Sequence, residues 1–187
     1  MSLSVALADA NVLIPRTLRD YFVYAAKLGA MQIHWSQPIL DEMSRNLVAK
    51  FGFNGGDAAE LELRLTEYLP RALVEVRKRD AQLADGVEMD AKDRHVLAAA
   101  LSASATVLLT ENTKHFPKVW MARHGLELLT AGALLERLAA EHPHELRDAH
   151  RLTVANSPKS EDEILATLEK MVGVKAARAV RVAVGIG

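Results

Sequence analysis

The fold is decided by residues 90–113, which read DAKDRHVLAAALSASATVLLTENT. Apolar residues at helical spacing predict a helix over 90–104 that opens after Gly86. Residues 106–109 are threonine, valine and leucine, which predicts a short buried strand directly after that helix. Polar residues follow the strand at once. A helix that leads into a buried strand is the building unit of an α/β protein with parallel strands.

The same alternation continues on both sides of this stretch. Strand-like segments are predicted at 3–8, 31–35, 73–76 and 126–129. Helical segments separate them, at 16–28, from Ser36 onward with Pro38 in the first turn, at 57–69 and at 130–140. Strands that alternate with helices favour an α/β sandwich around a central, mainly parallel sheet.

The pattern changes after Pro143, where a helical C-terminal extension is predicted. Ser160 and Glu163 form a capping box ahead of an apolar stretch at helical spacing. The chain is therefore interpreted as an α/β domain over residues 1–142 and a helical extension over residues 143–187.

Composition limits the classes of protein that the chain can belong to. Its 187 residues are 50% hydrophobic and 25% charged, which fits one globular core with an appendage. No apolar run reaches the length of a membrane span, and the absence of cysteine excludes disulfides and thiolate metal sites. The cytoplasm is the expected compartment. A net charge of −1 excludes a globally basic nucleic-acid binder but not a local basic patch.

Polar residues follow two of the predicted strands. Asp9 and Asn11 come after the first strand, and Thr110, Glu111 and Asn112 come after the strand at 106–109. Ligands of open α/β sheets gather at the carboxyl ends of the strands, so these positions carry functional weight. Taken alone, Asp9 fits a turn or helix cap equally well, and the second group fits an ordinary transition from strand to loop.

Two further acids lie on helices. Asp93 shares a helical stripe with Leu97 and Leu101, so its carboxylate continues the side that faces the core. The structural alternative is that Asp90 caps this helix and Asp93 faces the positive end of the helix dipole. Glu42 borders the apolar stripe of the earlier helix, although a solvated helix face explains it as well.

Convergence of Asp9, Glu42 and Asp93 at one sheet edge would require a cation, because repulsion and desolvation are costly for three carboxylates. Oxygen ligands without cysteine favour Mg²⁺ or Mn²⁺ over Zn²⁺, and the seven histidines form no zinc pattern. Such ions mainly serve phosphoryl chemistry. The chain has neither a glycine-rich nucleotide loop nor a serine-hydrolase elbow, which argues against those enzyme classes.

These residues resemble the PIN-domain nucleases, particularly the VapC-like toxin ribonucleases of type II toxin–antitoxin modules. The resemblance covers about residues 3–140. It is carried by Asp9-x-Asn11, by Glu42, by the helix start Asp93-Arg-His-Val-Leu-Ala-Ala-Ala, and by the loop Thr110-x-Asn112-x-x-His115-Phe-Pro. The resemblance implies a PIN-like three-layer α/β/α sandwich and an endoribonuclease that depends on Mg²⁺ or Mn²⁺.

The resemblance also implies roles for individual residues. Asp9, Glu42 and Asp93 would be the metal-binding catalytic acids, with Asn112 as a further catalytic residue. Positions that would orient the substrate or a metal-bound water are Asn11, Thr110, Asp90 and His115. Many relatives have an aspartate where His115 stands, so the missing charge is expected from Asp90 or Glu111, or the second ion binds weakly.

Partners follow from the same resemblance: an RNA substrate, a second copy of the chain in a homodimer, and an antitoxin protein. Basic residues expected near the site are Arg16, Lys92, Arg94, Lys114 and Lys118. One alternative is a PIN-like module, weak or inactive in catalysis, that binds RNA or protein. Another is a metal-dependent phosphohydrolase of small phosphate esters.

Overall fold

The computed structural model describes residues 3–186, and four short parallel strands form its centre. The strands are β1 (Val5–Ala8), β2 (Gln32–His34), β3 (Val107–Leu109) and β4 (Glu127–Leu129). They are hydrogen-bonded in the order β2-β1-β3-β4, with Leu7 opposite Leu108. Because β1 and β3 are neighbours and parallel, the residues that follow them emerge side by side at the carboxyl edge of the sheet.

Helices flank this sheet and connect its strands. They are α1 (Ala10–Leu13), α2 (Arg16–Lys27), α3 (Gln37–Phe51), α4 (Gly55–Tyr68), α5 (Lys78–Asp85), α6 (Arg94–Ser102), α7 (Lys118–Arg123), α8 (Ala131–Glu141), α9 (Pro143–Ala155) and α10 (Glu161–Val184). The two central strands, β1 and β3, lie in the apolar core, where Ala6, Leu7 and Val107–Leu109 are buried. The predicted α/β/α sandwich with a parallel sheet and a helical C-terminal extension is confirmed. No helix within residues 3–186 has the length and apolar character needed to cross a membrane.

The prediction of a strand at residues 73–76 is wrong. Within this segment, only Leu73 pairs with the sheet, through an isolated bridge to Trp35. Ser36, which follows Trp35, is the N-cap residue of α3, so the chain there has no further strand residue to pair with. Leu73 and Val76 are among the exposed large apolar residues. The helix predicted over 90–104 is also divided, into a 3₁₀ turn at Ala91–Asp93 followed by α6.

The C-terminal extension packs directly on the α/β unit. Helix α9 lies against α2, and α10 lies against α8 and α9. Leu146, Ile164 and Leu168 belong to the same hydrophobic cluster as the sheet. The predicted capping box of Ser160 and Glu163 opens α10. The division at residue 142 therefore falls between packed helices, and the two-domain description stays a prediction; positions 1, 2 and 187 lie outside the described residues.

A close approach between α8 and α10 depends on Gly132. A Cβ atom at this position would lie 2.9 Å from the backbone oxygen of Val172. Gly173, which follows Val172 in α10, has φ 83° and ψ 163°, and these angles interrupt α10 where it passes α8. This combination of angles is accessible almost only to glycine.

We expect Gly132→Ala to lower the free energy of unfolding by about 1–3 kcal/mol, because backbone must move to admit the methyl group. Gly86→Ala is the matched control, since its φ is −78° and its Cβ would meet Leu83 O at 3.6 Å and Gln82 O at 3.9 Å, both ordinary van der Waals contacts. The control should be neutral or stabilised by about 0.4–1 kcal/mol. Urea unfolding of the three proteins measures both values, and equal stability of Gly132→Ala and wild type would contradict the prediction.

Candidate metal centre

Asp9 is fixed by the end of β1 and by the start of α1. Its backbone N–H donates to Leu109 O at 3.0 Å, which continues the pairing of β1 with β3. Its side chain caps α1, with Oδ1 accepting from Ala10 N at 2.7 Å. Asp9 is only 5% exposed. The sheet therefore places a buried carboxylate directly beside the residue that follows β3.

Two polar side chains hold the second carboxylate oxygen of Asp9. Oδ2 accepts from Thr110 Oγ1 and from Asn11 Nδ2, each at 2.7 Å. Burial raises the pKa of Asp9, and the charges of Glu42 and Asp93 raise it further, whereas hydrogen bonds from Thr110 and Ala10 act in the opposite direction. A nearby cation would offset this net cost of ionising Asp9.

Asn11 and Thr110 also organise the loop after β3. Asn11 Nδ2 lies 2.9 Å from Thr110 Oγ1, while its Oδ1 accepts from the backbone N–H of Glu111 at 3.1 Å. Thr110 Oγ1 in turn accepts from Asn112 N at 3.0 Å. The predicted site residues Asp9, Asn11 and Thr110 are thus in direct contact, and they define where the loop leaves the sheet.

A second group of ligands lies on the 3₁₀ turn before α6 and on the loop after β3. Asp90 caps the turn by accepting from Lys92 N at 3.0 Å. Asp93 directly precedes α6 and makes no capping hydrogen bond, so its carboxylate is free to face the loop. There Asp93 Oδ2 lies 2.8 Å from His115 Nδ1. Ligand atoms of Asp90, Asp93 and His115 all lie within 4.8 Å of one another, a spacing that could hold one metal ion.

Asn112 borders this group. Its Nδ2 lies 2.8 Å from His115 Nδ1, across a 3₁₀ turn formed by residues Thr113–His115. The loop after β3 therefore contributes to both sets of residues: Thr110 contacts Asp9, and His115 contacts Asp93. Asn112 lies between these two contacts in the sequence and is positioned next to the ligands.

Glu42 lies on α3 and faces His95. Its Oε2 is 3.7 Å from His95 Nε2, while the Nδ1 of His95 lies 2.7 Å from Lys92 O. The charge of Glu42 reaches Asp9, since it contributes to the raised pKa of that residue. Among the described residues, however, the metal-holding group contains neither Glu42 nor Asp9.

Hydrogen bonds and ligand spacing thus group the predicted residues in two sets, while the charges of Glu42 and Asp93 both act on Asp9. Asp93 joins Asp90 and His115, whereas Asp9 joins Asn11 and Thr110. Of the two residues expected to replace a missing acid, Asp90 is in the group. Glu111 is not in the group, and its Oε1 accepts from Ala131 N at 2.7 Å at the start of α8.

Sequence reasoning missed His95 as a neighbour of Glu42. Its Nε2 atom is buried and has no hydrogen-bond partner within residues 3–186. The one available signal was its spacing, two residues after Asp93 on the same turn of chain. Spacing alone could not show that this ring faces α3, since that depends on how α6 packs against α3.

Comparison with known proteins gives one positive finding. A family model described as PIN domain matches residues 5–114, which include every residue of the two sets except His115. Comparisons with curated proteins and with solved structures find no significant match.

Proposed function

The chain belongs to the PIN-domain family, and from this premise we propose that it is a metal-dependent endoribonuclease that hydrolyses RNA phosphodiester bonds in the cytoplasm. Members of this family are generally metal-dependent nucleases. The observation that carries the proposal is the convergence of Asp90, Asp93 and His115 within 4.8 Å, next to the buried carboxylate of Asp9.

The donor set fits a divalent cation. Two carboxylates and one imidazole supply three lone-pair donors. Burial, with the charges of Glu42 and Asp93, raises the pKa of Asp9, and a nearby cation would offset that cost of ionising its carboxylate. A bound Mg²⁺ or Mn²⁺ ion would supply an acidified water and would neutralise charge on the phosphate. We propose Asp9, Glu42 and Asp93 as the acids that serve it.

The chain's own polar residues would orient the reacting groups. Thr110 and Asn11 lock the carboxylate of Asp9 through hydrogen bonds of 2.7 Å, so its orientation does not change when substrate arrives. Asn112 stands beside His115 with an amide that can contact a phosphate oxygen or a water. Preorganised polar groups of this kind stabilise charge that develops during the reaction.

Exposed lysines near the ligands would hold the RNA backbone. Lys92 lies on the turn between Asp90 and Asp93, and Lys114 and Lys118 flank His115; all three are exposed. Arg16 is engaged elsewhere, since its guanidinium pairs with Asp20 and with the backbone oxygen of Asn156. Such contacts would give affinity for RNA without reading its sequence.

We also propose a protein partner, as the toxin interpretation requires. A cleft of about 1200 Å³ lies between α2, α3, α4 and α10, with apolar side chains such as Tyr24, Phe51 and Phe53 beside arginines. Phe51 is 59% exposed. A large exposed aromatic beside a cleft supports binding of an antitoxin segment or of a second copy in a homodimer.

Cleavage of a mixed pool of structured RNA tests the proposed activity. We expect the purified protein to cut RNA with Mn²⁺ or Mg²⁺, to stop in excess EDTA, and to recover when metal is added back. No cleavage by folded, inhibitor-free protein under either metal would overturn the proposal in favour of a binding module. Turnover of a generic phosphate ester without RNA cleavage would favour the phosphohydrolase instead.

A further inference from the structure

The ligand group beside α6 contains a nitrogen donor. Asp90 and Asp93 offer carboxylate oxygens, while His115 offers an imidazole nitrogen within the same 4.8 Å. His115 Nδ1 is the atom that faces the acids, at 2.8 Å from Asp93 Oδ2. The loop after β3 therefore brings a nitrogen, and not a third carboxylate, to the position closest to Asp93.

His115 Nδ1 also has two neighbours with opposite requirements. Asp93 Oδ2 needs a donor, whereas the Nδ2 of Asn112, also at 2.8 Å, needs an acceptor. One ring nitrogen carries either a proton or a lone pair, so it satisfies only one of these neighbours. Rotation of the Asn112 amide lets this cluster serve a cation as well, because the imidazole, the carboxylates and the amide oxygen of the rotated Asn112 all offer lone pairs.

We propose that Asp90, Asp93 and His115 form a site that prefers a divalent transition-metal ion such as Mn²⁺ over Mg²⁺, with His115 Nδ1 as the selecting ligand. Mg²⁺ takes oxygen ligands and keeps its waters, whereas imidazole nitrogen suits first-row transition ions. The inference rests on the proposed metal-dependent function, since it concerns the ion that serves the same site.

The alternative is an ordinary surface pair between His115 and Asp93. The side chain of His115 is 46% exposed, which such a pair would also show. The two explanations differ in one observable: replacement of a surface pair leaves the preference among metal ions unchanged, whereas replacement of a selecting ligand changes it.

The test measures binding of Mg²⁺ and of Mn²⁺ by isothermal titration to full-length protein stripped with EDTA. His115→Asp converts the group to oxygen donors only, and His144→Asp is the matched control, because His144 is an exposed histidine outside the group. We expect the ratio of the Mg²⁺ to the Mn²⁺ dissociation constant to fall about tenfold or more in His115→Asp and to stay unchanged in the control.

A second measurement reports coordination directly. Co²⁺ added to the stripped wild-type protein should give visible absorption bands that shift or weaken in His115→Asp, since the bands depend on the ligand atoms. Thermal melts of both variants confirm that they fold.

The results separate this inference from the proposed function. An unchanged ratio in His115→Asp, with Mg²⁺ and Mn²⁺ still bound, would overturn the role of His115 and leave the metal-dependent nuclease standing. No binding of either ion to the wild-type protein would overturn both.

Discussion

RNA cleavage by Asp93→Asn protein is expected to fall about 10²–10³-fold below wild type, the loss typical of removing one preorganised charged or polar group from an active site. Asparagine keeps the shape of the side chain but removes the negative charge that faces His115 and Asp90. The same change should weaken binding of Mn²⁺. Initial rates on one RNA at saturating metal measure the first effect, and isothermal titration measures the second.

The fold should survive this substitution, because Asp93 makes no capping hydrogen bond to α6. Asp85→Asn is the matched control, since Asp85 is an exposed aspartate at the end of α5 and lies outside the ligand group. The control should cleave RNA at the wild-type rate. Cleavage by Asp93→Asn within tenfold of the control would remove Asp93 from the catalytic role.

The second large effect is expected in stability, from His150→Ala. His150 is buried on α9, with its Nδ1 2.6 Å from the hydroxyl of Tyr21 on α2 and its Nε2 2.8 Å from Glu161 on α10. Burial raises the pKa of Tyr21, so its hydroxyl stays protonated and donates a hydrogen bond to Nδ1. Nε2 then carries the ring proton and donates to Glu161, which joins three helices through one side chain.

Removal of this ring leaves a cavity and a buried hydroxyl without its acceptor. We expect a loss of about 2–4 kcal/mol in the free energy of unfolding, and a melting temperature lower by about 5–15 °C. Tyr21→Phe removes only the hydroxyl and should cost about 1 kcal/mol, the usual value of one hydrogen bond.

His144→Ala is the control for this experiment, because His144 is exposed on the same helix. Its melting temperature should stay within about 2 °C of wild type. Calorimetry on the three variants gives the comparison. Equal melting temperatures for His150→Ala and His144→Ala would show that the three-helix contact contributes nothing to stability.

Much of this architecture could be predicted from the sequence. The apolar run at 107–109 and the periodic helix before it predicted β3 and α6. The placement of Asp9 and Thr110 after predicted strands marked them as site positions, and the structure puts them in contact. Helix α5 could not be predicted, because Asp80 and Ala84 are its only buried residues and they leave no apolar periodicity.

The details of the site depended on tertiary contacts that spacing does not encode. Glu111 follows β3 like a ligand, yet it turns to cap α8, whose start lies twenty residues later. Likewise, the sequence offered Asp90 both as a helix cap and as a substitute for a missing acid, and its approach to His115 arises because the distant loop after β3 lies close to the turn before α6. Side-chain direction at loop positions is set by such packing.

The pairing of β1 with β3 also has a consequence for synthesis in the cell. Asp9 and Thr110 are separated by 101 residues, and neither carboxylate set is complete until the later strand has joined the earlier one. At about 5–20 residues per second, a ribosome needs roughly 5–20 s to make the intervening chain. During that interval the nascent protein lacks the assembled centre, and with it the metal-dependent activity proposed for the folded chain.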